Sequence, residues 1–275
     1  MTTNDSLGID SGAPSFSRMA IDVSSPFRLD GRVAIVTGAS SGLGDRFARV
    51  LHAAGATVTV AARRADRLDG LVDELGDRAF AVPCDVADDT ACERLVASTI
   101  KRSGRVDVLV NNAGIDNAQV PAEHEAMADF QRVVDVNLRA PFLLSQLVAR
   151  QMLTQGSGSI VNVASMLGLV ASAPVKNASY CATKGGLVNL TRELAVQWAR
   201  KGVRVNALAP GWFPSEMTAE MVADDSSTAY VKRTCPMARF GAVEELDGAL
   251  LFLASDASTF VTGQVLCVDG GWTSI

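Results

Sequence analysis

Val33-Ala34-Ile35-Val36-Thr37-Gly38-Ala39-Ser40-Ser41-Gly42-Leu43-Gly44 is the stretch on which the fold turns. Val33 to Thr37 is an uninterrupted apolar run, as a strand buried on both faces of a parallel sheet requires. Gly38 breaks it. Leu43, Phe47, Val50, Leu51 and Ala54 then recur at helical spacing until Gly55, a residue suited to a helix C-terminus. Strand, turn and helix in succession put Gly38, Gly42 and Gly44 at one corner, where backbone amides can approach a phosphate that the helix dipole also favours. Ser40, Ser41 and Leu43 lie between these glycines and join them as candidate contacts. The same spacing suits a plain strand-to-helix corner, and its place behind the first strand favours a nucleotide site.

Outward from this corner the alternation continues. Strand patterns at 57–61, 79–82, 106–110, 159–164, 203–208 and 264–268 are separated by helical ones. The third helix is capped by Asp88 or Asp89 and carries Lys101 and Arg102 at its negative end. A long helical region runs from beyond Asn111 to about Thr154, and further helices cover 179–200 and 243–254. This order predicts an α/β fold: a doubly wound, Rossmann-like parallel sheet of about seven strands with helices on both faces. Residues 1–27, rich in Ser, Asp and Gly, read as a loose tail. Residues 28–275 read as a single domain, with 212–235 as a lid over the C-terminal edge of the sheet.

The chain has 275 residues, 48% of them hydrophobic, enough for one sizeable core. Its net charge of -5 and the absence of a Lys/Arg run argue against a nucleic-acid partner. Five cysteines without a Cys-x-x-Cys pair indicate neither a disulfide framework nor a zinc knuckle, and fit a reducing cytosol. The N-terminus lacks the pattern of a signal peptide. Gln151 to Val175 is uncharged but interrupted by Gly, Ser, Asn and Pro, so no membrane span is expected. His52 and His124 stand apart and read as surface residues, and no metal site is expected.

Tyr180-x-x-x-Lys184 places a phenol and an ammonium one helical turn apart on one face. A free phenol has a pKa of about 10, so an adjacent cation that favours phenolate would bring it into proton-transfer range. Val60-Ala61-Ala62-Arg63-Arg64 ends the second strand, where a carboxylate would serve the ribose of NAD and an arginine the 2′-phosphate of NADP. No carboxylate is there. Arg63 is the expected phosphate contact, with Arg64 and Ser40 assisting, and NADP(H) is the expected cofactor ahead of NAD.

With the glycine corner, Asn111-Asn112-Ala113-Gly114 and Tyr180-x-x-x-Lys184 in this order, the chain resembles the short-chain dehydrogenase/reductase family from about Leu29 onward. The resemblance implies that Tyr180 is the acid in reduction and the base in oxidation, and that Ser165 hydrogen-bonds the substrate oxygen. It implies that Lys184 lowers the Tyr180 pKa and holds the nicotinamide ribose, and that Asn137 anchors a water of the proton relay. Singly, a strand-end serine, a helix tyrosine and a helix lysine are ordinary structural residues. By the same resemblance Asp85 and Val86 lie near the adenine, and Asn111, Ala113 and Gly114 near its ribose. Pro210, Gly211, Phe213 and Ser215 then belong to the nicotinamide-side turn. Three departures are visible: a longer Ser165-to-Tyr180 interval, Ser41 at an often basic position, and Ser215 in place of threonine.

Ile115, Met166, Leu167, Leu169, Val170, Trp212, Phe213, Met217 and Met221 are the expected walls of the substrate site. This apolar set suits an acyl chain, terpenoid or steroid; the resemblance implies a 3-oxoacyl thioester reductase first, with a steroid dehydrogenase or a sugar or polyol dehydrogenase, which would want more hydrogen-bonding groups, as alternatives. The rival of another class is a nucleotide-binding regulator without turnover. The resemblance further implies a homotetramer whose long helices around 123–154 and 179–200 pair between subunits, with a second contact at the C-terminal strand.

Overall fold

The computed structural model describes residues 22–275 apart from Ala118 and Pro174. Most of the expected tail, residues 1–21, lies outside the described residues; its last part forms a 3-10 turn at Ser25–Phe27.

Seven parallel strands make one sheet: β1 (Val33–Thr37), β2 (Thr57–Ala62), β3 (Ala79–Pro83), β4 (Val108–Asn111), β5 (Gly158–Val163), β6 (Val203–Pro210) and β7 (Val265–Val268). Their order is β3-β2-β1-β4-β5-β6-β7. The helices are α1 (Gly42–Ala53), α2 (Ala65–Leu75), α3 (Asp89–Ser103), α4 (Met127–Val134), α5 (Ala140–Gln155), α6 (Ala178–Trp198), α7 (Ala219–Ala223), α8 (Asp225–Thr234) and α9 (Asp247–Ala254).

Alternation along β1 explains its unbroken apolar sequence. Ala34 and Val36 pack with Phe47 and Leu51 of α1 and Leu250 and Leu253 of α9, while Ile35 faces Leu95, Leu144 and Leu194 of α3, α5 and α6. Both faces are covered, so no position of the strand tolerates a polar side chain without a partner. The strand order reverses between β1 and β4, which opens a crevice beyond their C-terminal ends. The glycine corner after β1 and the Asn-Asn-Ala-Gly segment after β4 both meet there.

Helix ends follow the local chemistry. Asp88 is the cap of α3, accepting from the Thr90 amide at 2.9 Å, and Gly104 closes the helix in the left-handed region. The long helical region expected from beyond Asn111 to Thr154 is instead irregular up to α4 and then interrupted by a π-turn over Asp135–Arg139. Pro141 is the local cause: it has no N–H to return to the Asn137 carbonyl one turn earlier. The 212–235 segment holds α7 and α8, and the Tyr230 hydroxyl of α8 donates to the Ala173 carbonyl. No helix among the described residues is long and apolar enough to cross a membrane.

Beneath the crevice lies a fully buried polar ladder. Asn111 Nδ2 donates to Asn162 Oδ1 at 2.8 Å and to Ser145 Oγ at 3.1 Å, and Asn162 Nδ2 donates to Thr191 Oγ1 at 2.9 Å. It joins β4 and β5 to α5 and α6, the helix that carries Tyr180 and Lys184. Removing one member leaves buried partners unsatisfied. Asn162→Ala is expected to lower unfolding stability by about 1–3 kcal/mol, read as a lower urea midpoint at unchanged slope.

Candidate active site

The crevice is a cleft of about 600 Å³. Its first wall is the corner between β1 and α1, lined by Gly38, Ser40, Ser41, Gly42, Leu43 and Gly44. Gly44 is required by close approach, because a methyl group there would overlap the Gly38 carbonyl. The corner is pinned to the end of β4: the Thr37 hydroxyl accepts from the amides of Asn112 and Ala113 at 3.0 Å each, and Asn112 Nδ2 donates to the Thr37 carbonyl at 2.9 Å. Ser41 caps α1 with no side-chain bond of its own to the helix, so the first amides are left to another acceptor.

The end of β2 adds positive charge to the cleft wall through both Arg63 and Arg64. Arg63 lines the cleft but is exposed and makes no side-chain hydrogen bond or ion pair among the described residues. Arg64 is the organised arginine, donating to Ser40 Oγ at 3.0 Å, to Ser41 Oγ at 2.8 Å and to Glu216 at 2.9 Å. Asp85 and Val86 line the same wall, with Asp85 accepting from the Ala87 amide at 3.0 Å.

Ser165, Tyr180 and Lys184 all line this one cleft. Ser165 stands at the end of β5 and caps the short 3-10 turn Met166–Gly168, its Oγ accepting from the Leu167 amide at 3.1 Å. Its own O–H is within reach of the Tyr180 phenol oxygen. Gly168 lets this turn lie against α6, since a Cβ there would fall 2.7 Å from the Lys184 carbonyl. Lys184 is 4% exposed and donates to the Val163 carbonyl at 2.8 Å, with two ammonium protons left over. Its Nζ lies 5.5 Å from the centroid of the Tyr180 ring.

Burial dominates the proton affinities of this pair in the cofactor-free protein. Burial pushes the Tyr180 phenol up to about 12, offset in part by the Ser165 hydroxyl. Burial likewise pushes Lys184 down to about 8. Desolvation is the largest influence on both groups and favours the neutral form of each. Tyr180 is held as a proton donor.

Two expected contacts lie off the cleft wall. Asn111, at 3% exposure, belongs to the polar ladder and points away from the cleft, because parity along β4 places it on the face of Leu109. Asn112 lines the cleft in its stead. The Asn137 side chain accepts from the Ile115 amide and donates to the Ile115 carbonyl, both at 2.9 Å, so it is engaged with backbone. Its Nδ2 also donates to Thr183 Oγ1 at 3.4 Å, and Pro141 brings no N–H to its main-chain carbonyl. Ala113, Gly114, Pro210, Gly211, Phe213 and Ser215 line the cleft as expected.

Of the expected apolar walls, Ile115, Phe213 and Met217 line the cleft. Met166 and Leu167 are buried in the interior, and the Trp212 ring stands edge-on to Trp272 at 5.9 Å. Leu169, Val170 and Met221 are likewise outside the lining. His52 is half-buried on α1, not a surface residue, and burial lowers its pKa. Asn112, Thr37 and Glu216 escaped the sequence reading; for Asn112 the strand parity at Leu109 and Val110 was the available signal.

The donor set fits a dinucleotide. A side-chain-free corner at a helix start, an arginine with two serine hydroxyls, and a buried ammonium with unused protons would hold, in turn, a pyrophosphate, a 2′-phosphate and a ribose.

Residues 38–273 match the family model described as enoyl-(acyl carrier protein) reductase. The chain is 42% identical over 250 residues to gluconate 5-dehydrogenase of Gluconobacter oxydans (strain 621H), covering 90% of this chain and 96% of that protein. It is 37% identical to a 3-oxoacyl-acyl-carrier-protein reductase of Rickettsia bellii (strain RML369-C), covering 88% and 97%. Among solved structures, a gluconate 5-dehydrogenase from Burkholderia cenocepacia J2315 in complex with NADP and tartrate superposes with a TM-score of 0.87 at 38% identity, covering 92% and 100%. On the match across the whole sheet and both motifs, the chain belongs to the short-chain dehydrogenase/reductase family.

Proposed function

We propose that this chain is an oxidoreductase that interconverts a ketone and a secondary alcohol with NADP(H), and that Ser165, Tyr180 and Lys184 carry the chemistry. The observation that supports it is one cleft lined both by this trio and by the glycine corner with Arg64. When bound, the nicotinamide supplies or accepts the hydride.

Each residue's part follows from its surroundings. Tyr180, held protonated by burial, donates to the oxygen that gains charge as a ketone is reduced. Ser165 offers its O–H to the same oxygen. Lys184, fixed on the Val163 carbonyl, directs its remaining protons at the ribose and keeps a positive charge beside the phenol below about pH 8. Asn137 serves the relay through its main-chain carbonyl, with a water as the partner. An inert nucleotide-binding regulator would have no use for a buried cation and a buried phenol together, since each disfavours burial.

For substrate, the cleft supports a hydroxylated acid or polyol ahead of a 3-oxoacyl thioester. Of the expected apolar wall only Ile115, Phe213 and Met217 line the cleft, while Arg132 lines it too, partnered by Asn117 Oδ1 at 3.2 Å and Asp129 at 3.4 Å. A guanidinium at the wall suits a carboxylate, and the gluconate and tartrate named for the relatives are of that kind. The 3-oxoacyl reading is the second, supported by the relative from Rickettsia bellii.

The wider organisation is also proposed. Residues 28–275 act as one domain, with 212–235 as its lid. The free cysteines support a reducing cytoplasm. Exposed Phe142 on α5, Val196 on α6 and Phe260 before β7 support a homotetramer through the long helices and the edge strand.

Tyr180→Phe is expected to reduce turnover by about 10²–10⁴-fold while leaving NADPH affinity unchanged, measured with gluconate-type, polyol and 3-oxoacyl substrates and both cofactors. Turnover of 3-oxoacyl esters alone would overturn the substrate class, and full activity of the variant would overturn the acid. The second expectation concerns pH. Lys184 ionises near 8 when folded and 10.5 in its ordinary state, so the unfolded chain binds the extra proton between those values. Relative to Lys184→Met, cofactor-free wild type is expected to gain stability from pH 8 to 10.5 and to lose that gain as pH falls through 8. Parallel melting curves of the two would refute this. Light scattering is expected to give four times the chain mass of 28.8 kDa.

A further inference from the structure

Glu216 is a residue for which the chemistry above has no role. It follows the nicotinamide-side turn at the base of the lid, lines the cleft, and extends its carboxylate to the opposite wall. Ser41 Oγ donates to its Oε2 at 2.8 Å, and Arg64 donates to its Oε1 at 3.1 Å and Oε2 at 2.9 Å. Arg67 stands 3.9 Å from Oε1. The loop that presents it is tied down next door, where the Ser215 amide donates to Thr218 Oγ1 at 2.9 Å and that hydroxyl donates to the Phe213 carbonyl at 2.6 Å.

These donors are the ones that a 2′-phosphate would use. Ser41 and Arg64 present hydroxyl and guanidinium protons to one point, and in the free protein that point holds a carboxylate from across the cleft. A phosphate dianion and a carboxylate cannot share it, because like charges in contact repel and the donors are finite in number. Resting on the reading of the cleft as an NADP site, we infer that Glu216 is an internal competitor for the 2′-phosphate subsite: it latches the base of the lid to Arg64 and Ser41, and the incoming 2′-phosphate displaces it. The residue is thereby a determinant of cofactor preference that lies outside the end of β2. Its sign is opposite to that of a residue which merely orients Arg64, whose loss would weaken binding.

The test uses the full chain with adenosine 2′,5′-bisphosphate and adenosine 5′-monophosphate, titrated calorimetrically against wild type and Glu216→Gln. Half-exposed Glu216 tolerates this change without a cost to the core. The variant is expected to bind the bisphosphate about fivefold more tightly and the monophosphate unchanged within about twofold, with the gain shrinking at high salt. Ligand-free Glu216→Gln is also expected to exchange its amide hydrogens over 215–223 faster than wild type. Equal or weaker bisphosphate binding in the variant, or unchanged exchange, overturns the latch. If wild type prefers the bisphosphate and the variant gains nothing, only the latch falls. If neither protein distinguishes the two nucleotides, the latch and the NADP reading fall together.

Discussion

A single hydrogen bond from a buried ammonium, Lys184 Nζ to the Val163 carbonyl at 2.8 Å, sets the terms for the rest of the cleft. A cation at 4% exposure is costly unless its protons are used, and one carbonyl uses only one of three. The surroundings are therefore arranged to keep it in place. Gly168 admits the turn after Ser165 against the α6 backbone at Lys184, and the Asn111–Asn162–Thr191 ladder ties the same helix to the sheet two turns further on. Thus a polar network below and a tight backbone contact above fix the one group whose charge would reach a bound ribose.

The same burial acts on the tyrosine. Tyr-x-x-x-Lys suggests a phenol made acidic by its neighbour, yet the phenol is raised to about 12 and the amine lowered to about 8. Both shifts have one cause, the removal of water, and they push the two groups towards their neutral forms. The phenol keeps its proton at neutral pH, and the amine holds its charge only below about 8. A positive charge brought in beside the ring would move the phenol the other way, so the direction of chemistry is tied to what occupies the cleft.

The chain's β–α alternation and both motifs were legible because they are local: an apolar run, a glycine corner, and residues one turn apart on a helix. What was not legible depends on which way a side chain faces after the sheet forms. Asn111 and Asn112 differ by one residue and lie on opposite sides of β4; Leu109 on the α5 side and Val110 on the α1 side already carry that parity. Arg63 and Arg64 both line the cleft, and only the fold shows that Ser40 and Ser41, some twenty residues earlier, bond the second of them. Met166 and Leu167 read as substrate walls by position, but the 3-10 turn after Ser165 buries them, and the Trp212 ring is occupied by Trp272. The break in the helix at Asn137 was written in Pro141, whose missing N–H counts only once the surrounding turn is known to be helical.

The two ends of the cleft belong to different electrostatic regimes, and this separates what evolution can change easily from what it cannot. Arg64 and Glu216 are 41% and 54% exposed, so their attraction is weak, screened by salt and adjustable by one substitution. Lys184 and Tyr180 are enclosed, where every charge is strongly felt and a substitution disturbs packing as well as chemistry. Cofactor preference can accordingly drift at the exposed end while the proton-transfer end stays fixed. The turn from Pro210 to Thr218 bridges the two regimes: Phe213 is buried beside the dry end, and three residues later Glu216 reaches the wet one.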